Sequence, residues 1–120
     1  AQRVKQDKSM PWGVRRSIAA TANARRSMRL VEDGNNGFVA AWWEDRQGSE
    51  TGMYAQRFNN TGVTQWNSGL FSGLPISHLN PNLLNPDTLL LIRSKASFVA
   101  AWVSSGMIAS DFYAQKFDMS

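Results

Sequence analysis

Short segments of this chain return in the same order. Phe38-Val39-Ala40-Ala41-Trp42 recurs as Phe98-Val99-Ala100-Ala101-Trp102, and Tyr54-Ala55-Gln56-Arg57-Phe58 recurs as Tyr113-Ala114-Gln115-Lys116-Phe117. Ala1-Gln2-Arg3-Val4 matches Ala55-Gln56-Arg57-Phe58, and Trp12 and Trp66 stand at the same distance beyond the alanine of that motif. A repeat of this period constrains the fold more than any composition does. One unit cannot bury its own apolar face, so units must stack against each other. Small differences in spacing between the copies are what insertions in connecting loops produce.

Each copy reads as strands. Phe38 to Trp43 is a short apolar and aromatic run between turn signals, which favours strand over helix. Both of its faces are apolar, so a sheet built on it should be covered on both sides. The alanine pair would let a neighbouring sheet approach closely. Met28 to Glu32 forms the preceding strand, joined through Asp33-Gly34-Asn35-Asn36-Gly37, whose residues tolerate positive φ. Glu44 to Thr51 is a polar loop and Met53 to Phe58 the third strand. Asn59 to Gly62 is a turn, and Val63 to Trp66 the fourth strand. The second copy places strands at Thr88 to Arg93, Phe98 to Val103 and Phe112 to Phe117. The proline-broken stretch from Asn67 to Asp87 reads as a connector. Its counterpart, Gly13 to Ser27, is alanine-rich, and a helix from Arg15 to Arg26 is the alternative there. The expected organisation is therefore residues 1–26 as the end of one unit plus connector, 27–70 as a complete unit, 71–87 as connector, and 88–120 as the first three strands of the next.

Composition narrows the chemistry. With no cysteine among 120 residues, a disulfide framework, a cysteine zinc site and a thiol nucleophile are excluded. No apolar run is long enough to span a bilayer as a helix, and no signal peptide is visible at the start. The net charge of +4 is uneven: residues 1–30 hold eight basic residues against Asp7 alone, and the remainder holds five basic and eight acidic. A basic first quarter could meet polyanions. These charges form no helical stripe with interleaved aromatics, so solvated loops and protected sheet edges are the better reading, and nucleic acid is disfavoured as a partner.

The glycine-rich turn, Phe-Val-Ala-Ala-Trp, Glu44 and Arg46 just beyond Trp42, the Tyr-Ala-Gln-Arg strand, an Asn/Gly turn and Trp66 together resemble a repeat of secreted and surface proteins of Bacteroidota. That pattern runs Trp-x-Asp-x-Arg, then Asp-Ile-Tyr-Ala-Gln-Arg, a glycine turn and Trp, and it is similar to β-propellers with one four-stranded blade per repeat. The resemblance covers nearly the whole chain. It implies an all-β fold of consecutive four-stranded antiparallel blades, about two of them, in an incomplete ring. The chain departs from the pattern in places. Glu44 and Gly52 stand where Asp is usual, and Ser104 and Gly106 replace the acidic residue and arginine in the second copy. A ring needs about four to eight blades, so the chain is expected to be a fragment of a longer protein or part of a homo-oligomeric ring.

Catalytic groups are sparse. His78, the one histidine, lies in the connector without evident triad partners. Adjacent Glu44 and Asp45 on a strand end point to opposite sides, which suits acid–base pairing poorly. Asp33, Asn35 and Gly37 lack the closing glutamate of a calcium loop. No catalytic, metal or cofactor residue is therefore assigned. Trp12, Trp42, Trp66 and Trp102 recur at repeat positions and read as packing aromatics. Trp43, whose counterpart is Val103, is the candidate for ligand contact, with Glu44 and Arg46 beside it. The expected function is a non-catalytic repeat segment of a secreted or cell-surface protein, a scaffold for protein or glycan binding. Its other partners would be further blades of the same protein or of a homo-oligomer. The alternatives are part of a sialidase-like glycoside hydrolase and a polyanion-binding module using residues 1–30.

Overall fold

The computed structural model describes residues 2, 7, 12–13, 17–19, 22–46, 51–66, 73–78, 88–105 and 110–119. Among the described residues, seven strands form two antiparallel sheets. The first contains β1 (Ala24–Glu32), β2 (Phe38–Asp45), β3 (Gly52–Phe58) and β4 (Leu74–His78), neighbours in that order. The second contains β5 (Leu89–Ser94), β6 (Ser97–Ser105) and β7 (Ser110–Asp118), again in chain order. The chain is all-β; among the described residues there is no helix.

The repeated segments occupy matching places. Phe38, Val39, Ala40, Ala41 and Trp42 pair with Phe58, Arg57, Gln56, Ala55 and Tyr54. Phe98 to Trp102 pair in the same register with Phe117, Lys116, Gln115, Ala114 and Tyr113. The turns before the two central strands differ. Asp33 to Gly37 closes the first, with Gly34 and Asn36 at positive φ; Lys95 and Ala96 suffice for the second, with Lys95 at positive φ. Gly37 is required for space, because a Cβ there would run into the Phe58 carbonyl oxygen.

Three expectations need correction. The first strand begins at Ala24, not Met28; a bulge between Arg26 and Arg29, with Ser27 at a φ of 54°, carries it past the break in the pattern. That also places Ala24 to Arg26 in a strand rather than in the alternative helix, whose residues 14–16 and 20–21 lie outside the described set. The fourth strand is Leu74–His78, inside the expected connector. It runs along the edge of the sheet, where Pro75 withholds no needed donor, and the pairing shifts between Met53 and Tyr54. Val63 to Trp66 makes one bridge, Phe58 to Thr64, because the Asn59 side chain accepts from the N–H groups of Thr61 and Val63 and curls the chain back tightly.

The sheets pack face to face. Val39, Ala41, Trp43, Met53 and Ala55 of the first meet Leu89, Phe98, Ala100 and Trp102 of the second in one buried cluster. Alanines from both central strands lie in it, in keeping with a close approach of the sheets. The opposite face of the first sheet carries Ala40, Trp42, Tyr54 and Phe58, and Ile18 and Ala19 pack against it.

Candidate functional site

Glu44 is next to last in β2 of the first sheet and is fully buried. A buried carboxylate must have its lone pairs met by donors, and charged donors offset the loss of water best. Here Oε1 accepts from Asn23 Nδ2 at 3.0 Å and from Arg25 Nη2 at 3.4 Å. Oε2 accepts from Trp42 Nε1 at 2.9 Å and from Arg46 Nη2 at 3.1 Å. Strand pairing places Arg25 directly opposite Glu44, while alternation puts Trp42 two residues back on the same face. The Arg46 guanidinium also lies 3.5 Å from the centre of the Tyr54 ring, a close cation–π contact.

The three residues expected to meet a ligand are thus brought to one end of the sheet, where their present partners are protein groups. Trp43 is buried in the cluster between the sheets, with Arg26 5.8 Å from its ring centre. Asn23 and Arg25, both partners of Glu44, were invisible to sequence reasoning. They are about twenty positions away, and their contact depends on the β1 register.

A second charged centre fixes the turn at the other end of the sheet. Asp33 Oδ1 accepts from the N–H groups of Asn35 and Gly37, both at 2.8 Å, and Oδ2 accepts from Arg57 Nε at 2.9 Å. Burial opposes ionisation of this carboxyl, but the Asn35, Arg57 and Gly37 donors outweigh it and hold its pKa below the usual range. Arg57 also donates from Nη1 to the carbonyl of Met119, tying the first sheet to the end of the second.

The repeated tryptophans make a joint that occurs twice. Trp66 meets Phe98 and Phe117 edge-on, and its Nε1 donates to the carbonyl of Met119, two residues beyond Phe117. Trp12 stacks on Phe38, which stacks in turn on Phe58; its Nε1 donates to the carbonyl of Asn60, two residues beyond Phe58. The ring angles differ, but the positions correspond. Beside Trp12 a groove of about 410 Å³ opens, lined in part by Leu30, Glu32, Gly34 and Phe38.

Of the basic residues in the first quarter, Arg25 is drawn into the Glu44 centre. Arg29 is exposed and donates to the neighbouring Met28 carbonyl. Arg3, Lys5, Lys8, Arg15 and Arg16 lie outside the described residues, as do the side chains of His78 and Ser104. Among the described residues no group of three or more His, Cys, Asp or Glu could hold a metal ion, and no helix is long and apolar enough to cross a membrane. No protein-family model, curated protein or solved structure matches the chain.

Proposed function

We propose that this chain is a non-catalytic β-propeller repeat segment of an exported or cell-surface protein, in which stacked sheets form a scaffold for protein or glycan binding. The recurrence of the tryptophan joint carries this reading. Trp12 meets the first sheet where Trp66 meets the second, each with an indole N–H on the carbonyl two residues past the third strand's phenylalanine. Two like joints, together with two central strand pairs in one register, are what successive members of a stack require. Charged side chains near the ends of the first sheet are spent on structure: Glu44 holds the end that carries Trp43 and Arg46, and Asp33 holds the turn. That arrangement favours rigid display of loops over proton transfer.

The reading is tested by applying the purified protein to a glycan array and to fluorogenic glycosides, sialosides included. Retention of glycans without release of the fluorophore is expected. Turnover above the protein-free control, lost in a Glu44→Gln variant, would overturn the non-catalytic assignment.

A further inference from the structure

The outer face of the second sheet is apolar and bare. Phe112 is 86% exposed, Leu90 60% and Ile92 58%, and with Ala101, Val103 and Ala114 some of these residues line a shallow apolar depression of about 300 Å³. An exposed apolar patch of this kind marks a contact surface. What covers it can be read from the other sheet. Strand register matches Val99, Ala101, Val103, Phe112 and Ala114 to Val39, Ala41, Trp43, Met53 and Ala55. In the first sheet those positions are buried, and their cover is the Phe98–Ala100–Trp102 face of the second sheet. The bare surface is therefore the same docking face, one step further along the stack.

The mate for such a face exists at the other end of the chain. Phe38, Ala40 and Trp42 hold the positions of Phe98, Ala100 and Trp102, and Leu30, opposite Ala40, holds that of Leu91, opposite Ala100. Leu91 packs into the cluster between the sheets, whereas Leu30 is 50% exposed beside the groove at Trp12. Charge agrees as well. Arg93 of β5 pairs with Glu32 of β1 across the internal joint. Register makes Arg93 and Glu32 equivalent, one opposite Phe98 and the other opposite Phe38. In a continued stack, Glu32 of an incoming chain would therefore face Arg93, an opposite-charge pair of reversed polarity.

From this equivalence we infer that the bare face of the second sheet binds the first sheet of a second copy of this chain, head to tail. The inference rests on the stacked-sheet reading proposed above. In the single chain that face is covered: Ala40, Trp42, Tyr54 and Phe58 are buried with Ile18 and Ala19 packed against them, so the contact requires the segment bearing Trp12, Ile18 and Ala19 to swing off it. A contact between two different surfaces repeats until it closes a ring or runs on as a filament.

Phe112→Glu and Leu30→Glu each place a charge on one of the two surfaces at an exposed position, so the fold survives. Sedimentation velocity up to about 100 µM, where a micromolar contact is largely saturated, is expected to show assembly of the wild-type chain and monomers of each variant. An equimolar mixture of the two variants keeps one intact surface on each partner and is expected to form a heterodimer that grows no further. A monomeric wild-type chain overturns the inference. So does self-association of Leu30→Glu, which would mean that the bare face pairs with itself, or of Phe112→Glu, which would place the contact elsewhere. The indole N–H resonances of Trp12 and Trp66 separate the two levels. If both are protected from exchange in a monomeric chain, only the docking fails; if neither is protected, the stacked-sheet reading fails with it.

Discussion

Glu44 shows how one buried charge can organise a sheet end. Its carboxylate collects two guanidinium groups, an amide and an indole N–H, drawn from β2 itself, from β1 and from the residues flanking them. Truncating such a centre leaves the cations and the indole without their acceptor, which costs about 3 kcal/mol or more. Glu44→Ala is accordingly expected to lower stability by about that amount in urea unfolding. Asp33 is subtler. Its native pKa lies below the usual 3.8, so the unfolded chain binds a proton more readily. The stability it contributes is complete above the unfolded value and is lost as pH falls through the native one. Thermal melts at successive pH values should show an acid decline below about pH 5. Asp33→Asn, which keeps an oxygen for the turn but loses the charge facing Arg57, should make that decline shallower.

At the scale of elements, the central strands were legible and their neighbours less so. Phe38–Trp43 and Tyr54–Phe58 announce themselves because apolar and β-favouring residues cluster between turn signals. β4 was hidden by Pro75, which argues against a strand unless the strand lies on an edge, and edge position is a property of the assembled sheet. The bulge at Ser27 hid the start of β1 in the same way, because it breaks the alternation from which a strand is read. Trp66, expected on a fourth strand, instead spans two sheets. Its backbone N–H and carbonyl are both held by the Gln56 side chain, while its ring reaches Phe98 and Phe117. Trp66→Ala is therefore expected to cost about 3–5 kcal/mol, measured by chemical denaturation. The loss should exceed that of Val63→Ala, a substitution at a half-exposed position on the same turn.

For the molecule as a whole, the two sheets are joined by more than apolar contact. Arg57 and the Trp66 indole both donate to the Met119 carbonyl, and Arg93 reaches back to Glu32, so side chains of one sheet bond to the end or edge of the other. The outer surfaces are unequal. The first sheet carries part of the early chain, with Trp12, Ile18 and Ala19 against it, whereas Phe112, Leu90 and Ile92 of the second stand in solvent. The inferred head-to-tail contact follows from that inequality. The sequence-based trio of Trp43, Glu44 and Arg46 belongs to this scale too, since Trp43 points into the inter-sheet core while Glu44 and Arg46 anchor one end of the sheet.

Local pairing was written in the chain. Repeated apolar segments and positive-φ turns mark β2, β3, β6 and β7 and the hairpins that join β2 and β6 to the strands before them, whereas the register of β1 past its bulge and the identity of β4 come from the assembled sheet. The direction each face would turn was left to the tertiary structure. Phe38–Trp43 is apolar on both sides, so periodicity could not say that Val39 and Ala41 meet the second sheet while Ala40 and Trp42 look the other way. Stacking made that choice, and it leaves the matching face of the second sheet exposed.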